Sequence, residues 1–448
     1  MIFDPATSRL IIHGLGVEGR AALDWFLTQQ AQHITVIDRA DKFSALPESL
    51  QQNTAVTHVT EPEWVSENHD TPRPELYLRS PGIAPDNPVF EKIRHLRIPH
   101  TTPTGYWLAK YAPQNTITIT GTKGKSSTAS LTAHLLRWAG RRAEEMGNIG
   151  RTPFEAVIST DTICVLELSS YMMHDLPPLS AFHVVTNIYK EHTDWHGSHS
   201  AYRHDKLRPF AQNPPARGIV ATDLRQEVPA NSAITTFDDH TRIDGNRITF
   251  GTVHELTPVD LHPAFAAPSM LLALRASIAT CLASGLLTPD QVSAALQKNL
   301  SGWPGLPSRQ FILPTTDGLI WVDDALATVP EATLSALTRW QGQTIHLLLG
   351  GADRGQQFDA LIAHCRARAN IQLYAFSETA SALQAAAESG AAPTLISHHD
   401  SLESMIESAR HKAREGDIIL FSPAAPSARP HANYLERSRI FQSFAPQG

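Results

Sequence analysis

The chain reads as an α/β protein of three domains: a Rossmann-like N-terminal domain, a central domain built on a P-loop ATPase-type parallel sheet, and a Rossmann-like C-terminal domain. Three observations carry this. A β-branched run opens into a Gly-rich loop, a lysine and two hydroxyls at Thr118–Ser127. A Gly-x-Gly-x-x-Gly turn at Gly14–Gly19 lies between two apolar runs. Beyond residue 306, strand-like and helix-like stretches alternate. Pro99 and Pro103 bracket one expected linker and Ser301–Arg309 reads as a second, which divides the chain into 1–103, 104–305 and 306–448.

In the first segment, Leu10-Ile11-Ile12 is a buried strand, and the glycine turn leads into a helix over Ala21–Leu27. Ile34–Asp38 is a second strand that ends in an acid. This βαβ pattern sets a phosphate or diphosphate at a helix N-terminus and places Asp38 to meet a ribose or base. Glu18 stands uncomfortably close to where such a diphosphate would lie. Leu76-Tyr77-Leu78 is a third strand, followed by the turn Arg79-Ser80-Pro81-Gly82-Ile83, whose N–H groups are free to bind.

In the second segment, Ile117 and Ile119 mark the strand before Gly121-Thr122-Lys123-Gly124-Lys125-Ser126-Ser127, and a helix-like run covers Ala129–Ala139. Glycines let backbone N–H groups crowd around an anion, and the helix dipole favours negative charge there. Lys125 can reach the β- and γ-phosphates, and Ser126 or Ser127 can hold Mg²⁺. The common P-loop has a glycine separated by four residues from its Gly-Lys pair, where this chain has Ile119, so the shorter form is the more particular signature. A nucleoside triphosphate is the first expected ligand. Two apolar strands follow, one ending at Glu167 and one, Val184–Ile188, leading to Glu191-His192-Thr193-Asp194. Ligands of parallel sheets gather beyond the carboxyl ends of the strands, which places Glu167 and His192 around a Mg²⁺. Lys206, in the charged stretch Ala201–Arg208, reads on its own as part of a solvated face.

The third segment shows strands at Leu319–Asp323, Ile345–Leu349, Gln372–Phe376 and Ile418–Phe421, with Gly350–Arg354 and Ser422–Ser427 at strand ends where a small substrate would be held. Composition excludes several classes. A net charge of −7, from 37 basic and 44 acidic residues, speaks against general nucleic-acid or anionic-membrane binding. Cys164, Cys281 and Cys365 have no metal-ligand spacing, and three sparse cysteines suit a reducing cytoplasm. The N-terminus lacks signal-peptide character, and no apolar run reaches membrane-span length, so a cytoplasmic location is expected.

Together these motifs resemble the Mur ligases, the ATP-dependent amino-acid-adding enzymes of peptidoglycan synthesis. The resemblance covers essentially the whole chain. It rests most on Gly121–Ser127, Gly147-Asn148-Ile149-Gly150, Leu166-Glu167-Leu168-Ser169-Ser170, and Glu191–Asp194 with Lys206 following. The opening Gly-Leu-Gly-x-x-Gly domain and Ser80-Pro81-Gly82-Ile83 look most like the glutamate-adding branch of that family. Folylpolyglutamate synthetases share the later domains but lack this first one.

The resemblance implies that Leu15, Gly16, Asp38, Arg39, Ser80, Pro81 and Gly82 hold the UDP of UDP-N-acetylmuramoyl-L-alanine, and that Asn148 also contacts this substrate. Gly121, Thr122, Lys123, Gly124, Lys125, Ser126 and Ser127 would hold the ATP phosphates, joined by Arg309 and Asp324 from the third domain. Ser126, Glu167 and His192 would bind Mg²⁺, and Lys206 matches a lysine that becomes an anionic metal ligand when carbamylated. Thr328, Arg354, Ser427 and Tyr434 would hold the incoming amino acid. The alanyl carboxylate would attack the γ-phosphate, the acyl phosphate would be captured by the amine, and the third domain would close to keep water out. Lys125, Glu167, His192 and Lys206 are the expected catalytic set; a monomer is expected.

The departures from the pattern lie on the amino-acid side. Asn-Asp-Ser-Lys-Ala-Thr becomes Asp323-Asp324-Ala325-Leu326-Ala327-Thr328, so the family's glutamate-contacting lysine is Leu326. A second family lysine is Arg354, and Tyr434 stands where phenylalanine is common. An arginine fork and a lysine point charge grip a dicarboxylate differently. This favours L-glutamate over D-glutamate, with a separate epimerase acting later. The adenine-side asparagine pair is also missing around Pro268–Leu271. Three other readings fit less of the chain. An NAD-dependent oxidoreductase leaves the P-loop unexplained, a catalytically silent nucleotide-sugar binder has no need of the metal set, and a ligase for another amino acid sits poorly with Arg354.

Overall fold

The protein is described from a computed structural model, which covers residue 4 and residues 6–446 apart from 67–71, 149–150, 179, 213–215, 231–232, 304, 341, 390–394 and 432. Ile149 and Gly150 of the expected substrate motif lie outside the described residues. The chain forms two compact units: residues 1–258 with 268–299, and residues 259–267 with 300–448.

The first unit holds two parallel sheets. In one, β1 (Arg9–His13), β2 (His33–Ile37), β3 (Val56–Val59), β4 (Leu76–Arg79) and β5 (His100–Thr101) stand in the order β3-β2-β1-β4-β5. In the other, β6 (Ile117–Thr120), β7 (Ala143–Gly147), β8 (Ile163–Glu167), β9 (Phe182–Val185), β10 (Arg217–Val220) and β11 (Ile234–Thr236) stand in the order β11-β10-β9-β6-β8-β7. β1, β6, β8 and β9 are near-continuous apolar or β-branched runs because helices cover both faces of the sheet. A small antiparallel sheet, β12 (Thr241–Asp244), β13 (Arg247–Phe250) and β14 (His254–Leu256), follows.

The helices that position the site are α1 (Val17–Thr28), α2 (Pro103–Tyr111), α3 (Lys125–Trp138), α4 (Ser170–Met173), α5 (Thr193–His196), α6 (His199–Ala211) and α7 (Pro268–Ala283). α3 begins at Lys125 itself, four residues earlier than the apolar periodicity indicated, because Gly124 supplies a left-handed N-cap with φ of 78°. The segment expected as a linker between Pro99 and Pro103 instead holds β5 and the start of α2. Pro103 sits at the first helical position, and the Thr102 hydroxyl caps Gly105 N–H.

In the second unit, β15 (Phe311–Ile312), β16 (Ile320–Asp323), β17 (Ile345–Gly350), β18 (Ile371–Phe376), β19 (Ile396–His399) and β20 (Ile418–Phe421) form a sheet in the order β15-β16-β20-β17-β18-β19. All its pairings are parallel except that of the edge strand β15. Two apolar clusters cover its faces, and α8 (Tyr434–Phe444) packs on one of them through Phe441. The expected second linker is likewise packed: Trp303 is buried and stacks on Phe265.

Candidate active site

The first sheet's turns are locked together at the carboxyl ends of β1 and β4. Gly14 has φ of 90°, and a Cβ there would meet Ser80 at 2.8 Å, so only glycine lets the two turns touch. The Ser80 hydroxyl donates to Gly14 O at 2.7 Å. Asp38 accepts from Leu15 N–H at 2.6 Å and from Arg39 N–H at 2.7 Å, so its carboxylate organises both loops. Gly16 is exposed at the N-cap of α1, and Arg39 is exposed and paired with Asp41. Pro81 is half-buried and Gly82 is exposed at the tip of the second turn. Glu18 is buried beside Thr104 in the first turn of α1. Burial raises its carboxyl to about 7, an effect that the Thr104 hydroxyl and N–H only partly offset.

Arg79, at the end of β4, was missed as a site residue and is fully buried. Its Nε donates to Asp175 Oδ2 at 2.6 Å, its other nitrogens donate to the carbonyls of Pro81, Ile83 and Tyr171, and its guanidinium lies 5.2 Å from the Trp195 ring. The Ser80–Ile83 turn is thereby fixed to the segment that follows β8.

The P-loop is built as its glycines require. Gly121 has φ of 148°, and a Cβ there would lie 2.0 Å from Thr186 Oγ1. Asn187 accepts from Thr122 N–H through its backbone carbonyl and from Lys123 N–H through its side chain, both at 2.8 Å. Lys125 Nζ donates to Thr122 O at 2.9 Å, while Lys123 reaches out to Glu191 at 2.6 Å. Ser126 and Ser127 follow in the first turn of α3. A cleft of about 480 Å³ opens beside the loop, lined by Lys123, Thr128, Asn187, Tyr189, Leu272 and Arg275.

At the carboxyl end of β8, Glu167 is buried. Asn148 Nδ2 donates to its Oε1 at 3.0 Å, and its Oε2 meets no hydrogen-bond partner among the described residues. A buried carboxylate oxygen without a partner fits a hard cation as its missing ligand. His192 sits in the left-handed region, φ of 53°, at the N-cap of α5, and its Nδ1 is hydrogen-bonded to Tyr171 at 2.9 Å. Partial burial lowers its pKa against the opposing Glu191 charge, which favours the neutral ring that a metal needs.

Lys206 corrects the solvated-face expectation. It is 1% exposed on α6, and its Nζ donates to Gly121 O at 2.7 Å and Thr120 Oγ1 at 3.2 Å. Burial first, then the neighbouring Lys125 charge, pushes the amine well below its ordinary value. The sequence hid this because α6 buries polar groups, Asp205 and Lys206 among them, and shows no clean apolar stripe.

The second unit gathers the remaining expected residues at its strand ends. Asp324 is buried, accepting from Ser422 Oγ at 2.7 Å and Gln310 N–H at 3.1 Å, and burial raises its carboxyl to about 7. Arg309 is exposed, and its charge reaches Asp324. Leu326 and Thr328 are half-buried beyond β16, Arg354 is exposed beyond β17, and Tyr434 starts α8. Ser427 Oγ is buried and meets no partner among the described residues.

Two family models match the chain: the Mur ligase middle domain over residues 119–243, and the Mur ligase glutamate ligase domain over residues 309–425. A UDP-N-acetylmuramoyl-L-alanine–L-glutamate ligase of a Micromonospora species is 30% identical over 436 residues, 96% of this chain and 94% of that protein. One of Xanthomonas campestris is 30% identical over 83% of this chain and 82% of that protein. Among solved structures, the UDP-N-acetylmuramate–alanine ligase MurC of Thermotoga maritima matches with a TM-score of 0.55 at 15% identity, covering 97% of this chain and 98% of that one. MurF ligase of the same organism, in complex with ADP, matches with a TM-score of 0.51 at 14% identity, covering 99% of both chains. Among the described residues, no helix is long and apolar enough to cross a membrane.

Proposed function

Because the chain belongs to the Mur ligase family of ATP-dependent amide ligases, we propose that it joins L-glutamate to UDP-N-acetylmuramoyl-L-alanine in peptidoglycan precursor synthesis. The observation that carries this choice is the run of relatives named for that reaction, the first of them aligned over 94% of its own length. The acceptor side is consistent with it, since Leu326 and Arg354 stand where lysines are usual in the resemblance described above.

The nucleotide end of the substrate would bind at the turns of Leu15–Gly16 and Ser80–Gly82, with Asp38 holding the loops and Arg39 at the rim. Asn148 would touch the sugar side. ATP phosphates would lie on Gly121–Ser127, the loop that leads into the N-terminus of α3. The cleft beside Tyr189 and Leu272 suits the base, which explains how the chain manages without the asparagine pair. Ser126, Glu167 and His192 would hold Mg²⁺, and a bound Mg²⁺ would offset the charge on the phosphates. The depressed basicity of Lys206 raises the share of neutral amine, the form that would add to CO₂ and lose a proton to give a carbamate.

The alanyl carboxylate oxygen attacks the γ-phosphorus, and the β–γ bridging oxygen leaves with ADP. Two anions must meet, so Lys125 is needed to reduce their repulsion. The glutamate amine then attacks the acyl carbon of the acyl phosphate and phosphate departs. A nearby carboxylate takes the amine proton. Thr328, Arg354, Ser427 and Tyr434 would orient the glutamate. Both nucleophiles are supplied by substrates, so no serine or cysteine nucleophile is required.

Phosphate release from the purified protein with ATP, Mg²⁺ and UDP-N-acetylmuramoyl-L-alanine tests this, with L- and D-glutamate compared. Turnover with L-glutamate alone is expected. Turnover with D-glutamate alone would refute the stereochemical assignment, and turnover with neither would refute the substrate. Lys206→Ala is expected to abolish turnover while leaving UDP binding within about twofold.

A further inference from the structure

A second polar cluster lies behind the proposed metal ligands, and nothing above uses it. The Oδ2 of Asp205 accepts from His196 Nδ1 at 2.7 Å and from His174 Nδ1 at 2.9 Å. The other nitrogen of His196 is hydrogen-bonded to Ser170 Oγ at 3.0 Å. The His196 side chain is fully buried and that of Asp205 nearly so. An ionised carboxylate only accepts, so both Nδ1 atoms donate, and in the neutral ring of His196 Nε2 accepts from the Ser170 hydroxyl. Every polar atom of the His196 ring is satisfied.

The contacts of this ring lie on or directly beside the elements that carry three of the proposed ligands, Glu167, His192 and Lys206. Asp205 precedes Lys206 on α6, and consecutive helix residues point about 100° apart. One side chain therefore faces α4 and α5 while the next faces Thr120 and Gly121. His196 closes α5, whose N-cap is His192, and its N–H donates to the His192 carbonyl at 3.2 Å. Ser170 opens α4, three residues after Glu167.

We propose that His196 and Asp205 are positioning residues that set Glu167, His192 and Lys206 in the relative geometry a divalent cation requires. Neither touches substrate or metal. This inference rests on the functional reading above. The ring acts as a single strut: losing it frees α6, α5 and the β8–α4 turn to shift independently. Outer-shell partners that orient metal ligands typically alter metal affinity or activity by about 10–100-fold when removed.

The test uses the full chain with a non-hydrolysable ATP analogue and Mn²⁺ as the probe, free Mn²⁺ being read by electron paramagnetic resonance. His196→Ala and Asp205→Asn are expected to raise the Mn²⁺ dissociation constant by about tenfold or more. The Mg²⁺ concentration for half-maximal turnover should shift in parallel, and KM for the nucleotide sugar should stay within about twofold. Ser170→Ala removes one contact only and should shift Mn²⁺ binding by a smaller factor, which keeps the test sound if His196→Ala folds poorly. A purely structural role would lower the amount of active protein without moving either metal curve, and that result would overturn the inference. So would one equivalent of zinc bound at wild-type His174, His196 and Asp205, since the cluster would then be a metal site itself. Lys206→Ala separates the two layers. If that variant retains both turnover and Mn²⁺ affinity, the functional reading fails. If it loses them while Asp205→Asn behaves as wild type, only the positioning role fails.

Discussion

Replacing Glu18 by glutamine isolates the cost of a buried carboxyl at the nucleotide-sugar end of the site. The native carboxyl keeps its proton up to about 7, whereas the unfolded chain releases it near the ordinary 4.5. Between those values the folded state binds more protons, so wild-type stability falls as pH rises. The interval, 7 − 4.5, is about 2.5 pH units, and at ~1.36 kcal/mol per unit it amounts to about 3 kcal/mol. The penalty is absent below the unfolded value and fully developed above the folded one. Glutamine keeps the shape and does not titrate. Urea unfolding of both proteins at roughly pH 4.5 and pH 8 should therefore show the variant gaining about 3 kcal/mol relative to wild type over that range. Other groups cancel in the comparison. Binding of the nucleotide sugar should weaken above neutrality in wild type more than in the variant, because an ionised Glu18 lies in the first turn of α1. A stability difference that does not change with pH would refute the reasoning.

Three further outcomes follow from the geometry. Gly121→Ala places a Cβ 2.0 Å from Thr186 Oγ1 at a φ of 148°, and phosphate release should fall by at least about 100-fold as the loop shifts. Asp175→Asn leaves the buried Arg79 without its carboxylate; a loss of about 3–5 kcal/mol in urea unfolding is expected, and less than ~1 would mean the carbonyls alone hold the guanidinium. Ser427→Ala removes a buried hydroxyl that meets no partner among the described residues, so stability should hold or rise while KM for glutamate increases several-fold. An unchanged KM would remove Ser427 from the acceptor pocket.

Much of the scaffold was legible because its signals are local. Alternation and apolar runs gave β1, β6, β8, β16, β17, β18 and β20 to within a residue or two, and the glycines gave the turns after β1 and β6. What was hidden depends on partners distant in sequence. β5 has two residues and is defined only by its pairing with β4. β7 carries two glutamates, which mask its strand character. Arg79 and Asp175 are 96 residues apart, and nothing around either announces the other. Lys206 looked solvated because its neighbours are charged, yet Asp205 and Tyr202 are turned inward with it. Thr102-Pro103 was a helix-start signal overlooked in favour of a linker, since proline serves both roles.

The electrostatics of the P-loop end explain why a lysine is buried there at all. Burial strips water from an ammonium at Lys206 and the neighbouring Lys125 charge repels it, and the depressed basicity of the amine is the result. Burial disfavours a charge of either sign, but the Lys125 charge that disfavours a cation favours an anion. Converting the amine to a carbamate would replace a disfavoured positive charge with a negative one facing Lys125. It would also add an oxygen ligand beside Glu167. The exposed Lys123–Glu191 pair works in the opposite sense. Between such exposed partners an ion pair is worth at most about 1 kcal/mol. Lys123 can therefore leave Glu191 for a phosphate at little cost, whereas Lys125, held by Thr122 O at the first residue of α3, is already aimed. One lysine is fixed, one is exchangeable, and one has its basicity depressed. That division suits a site that must first attract two anions and then let them react.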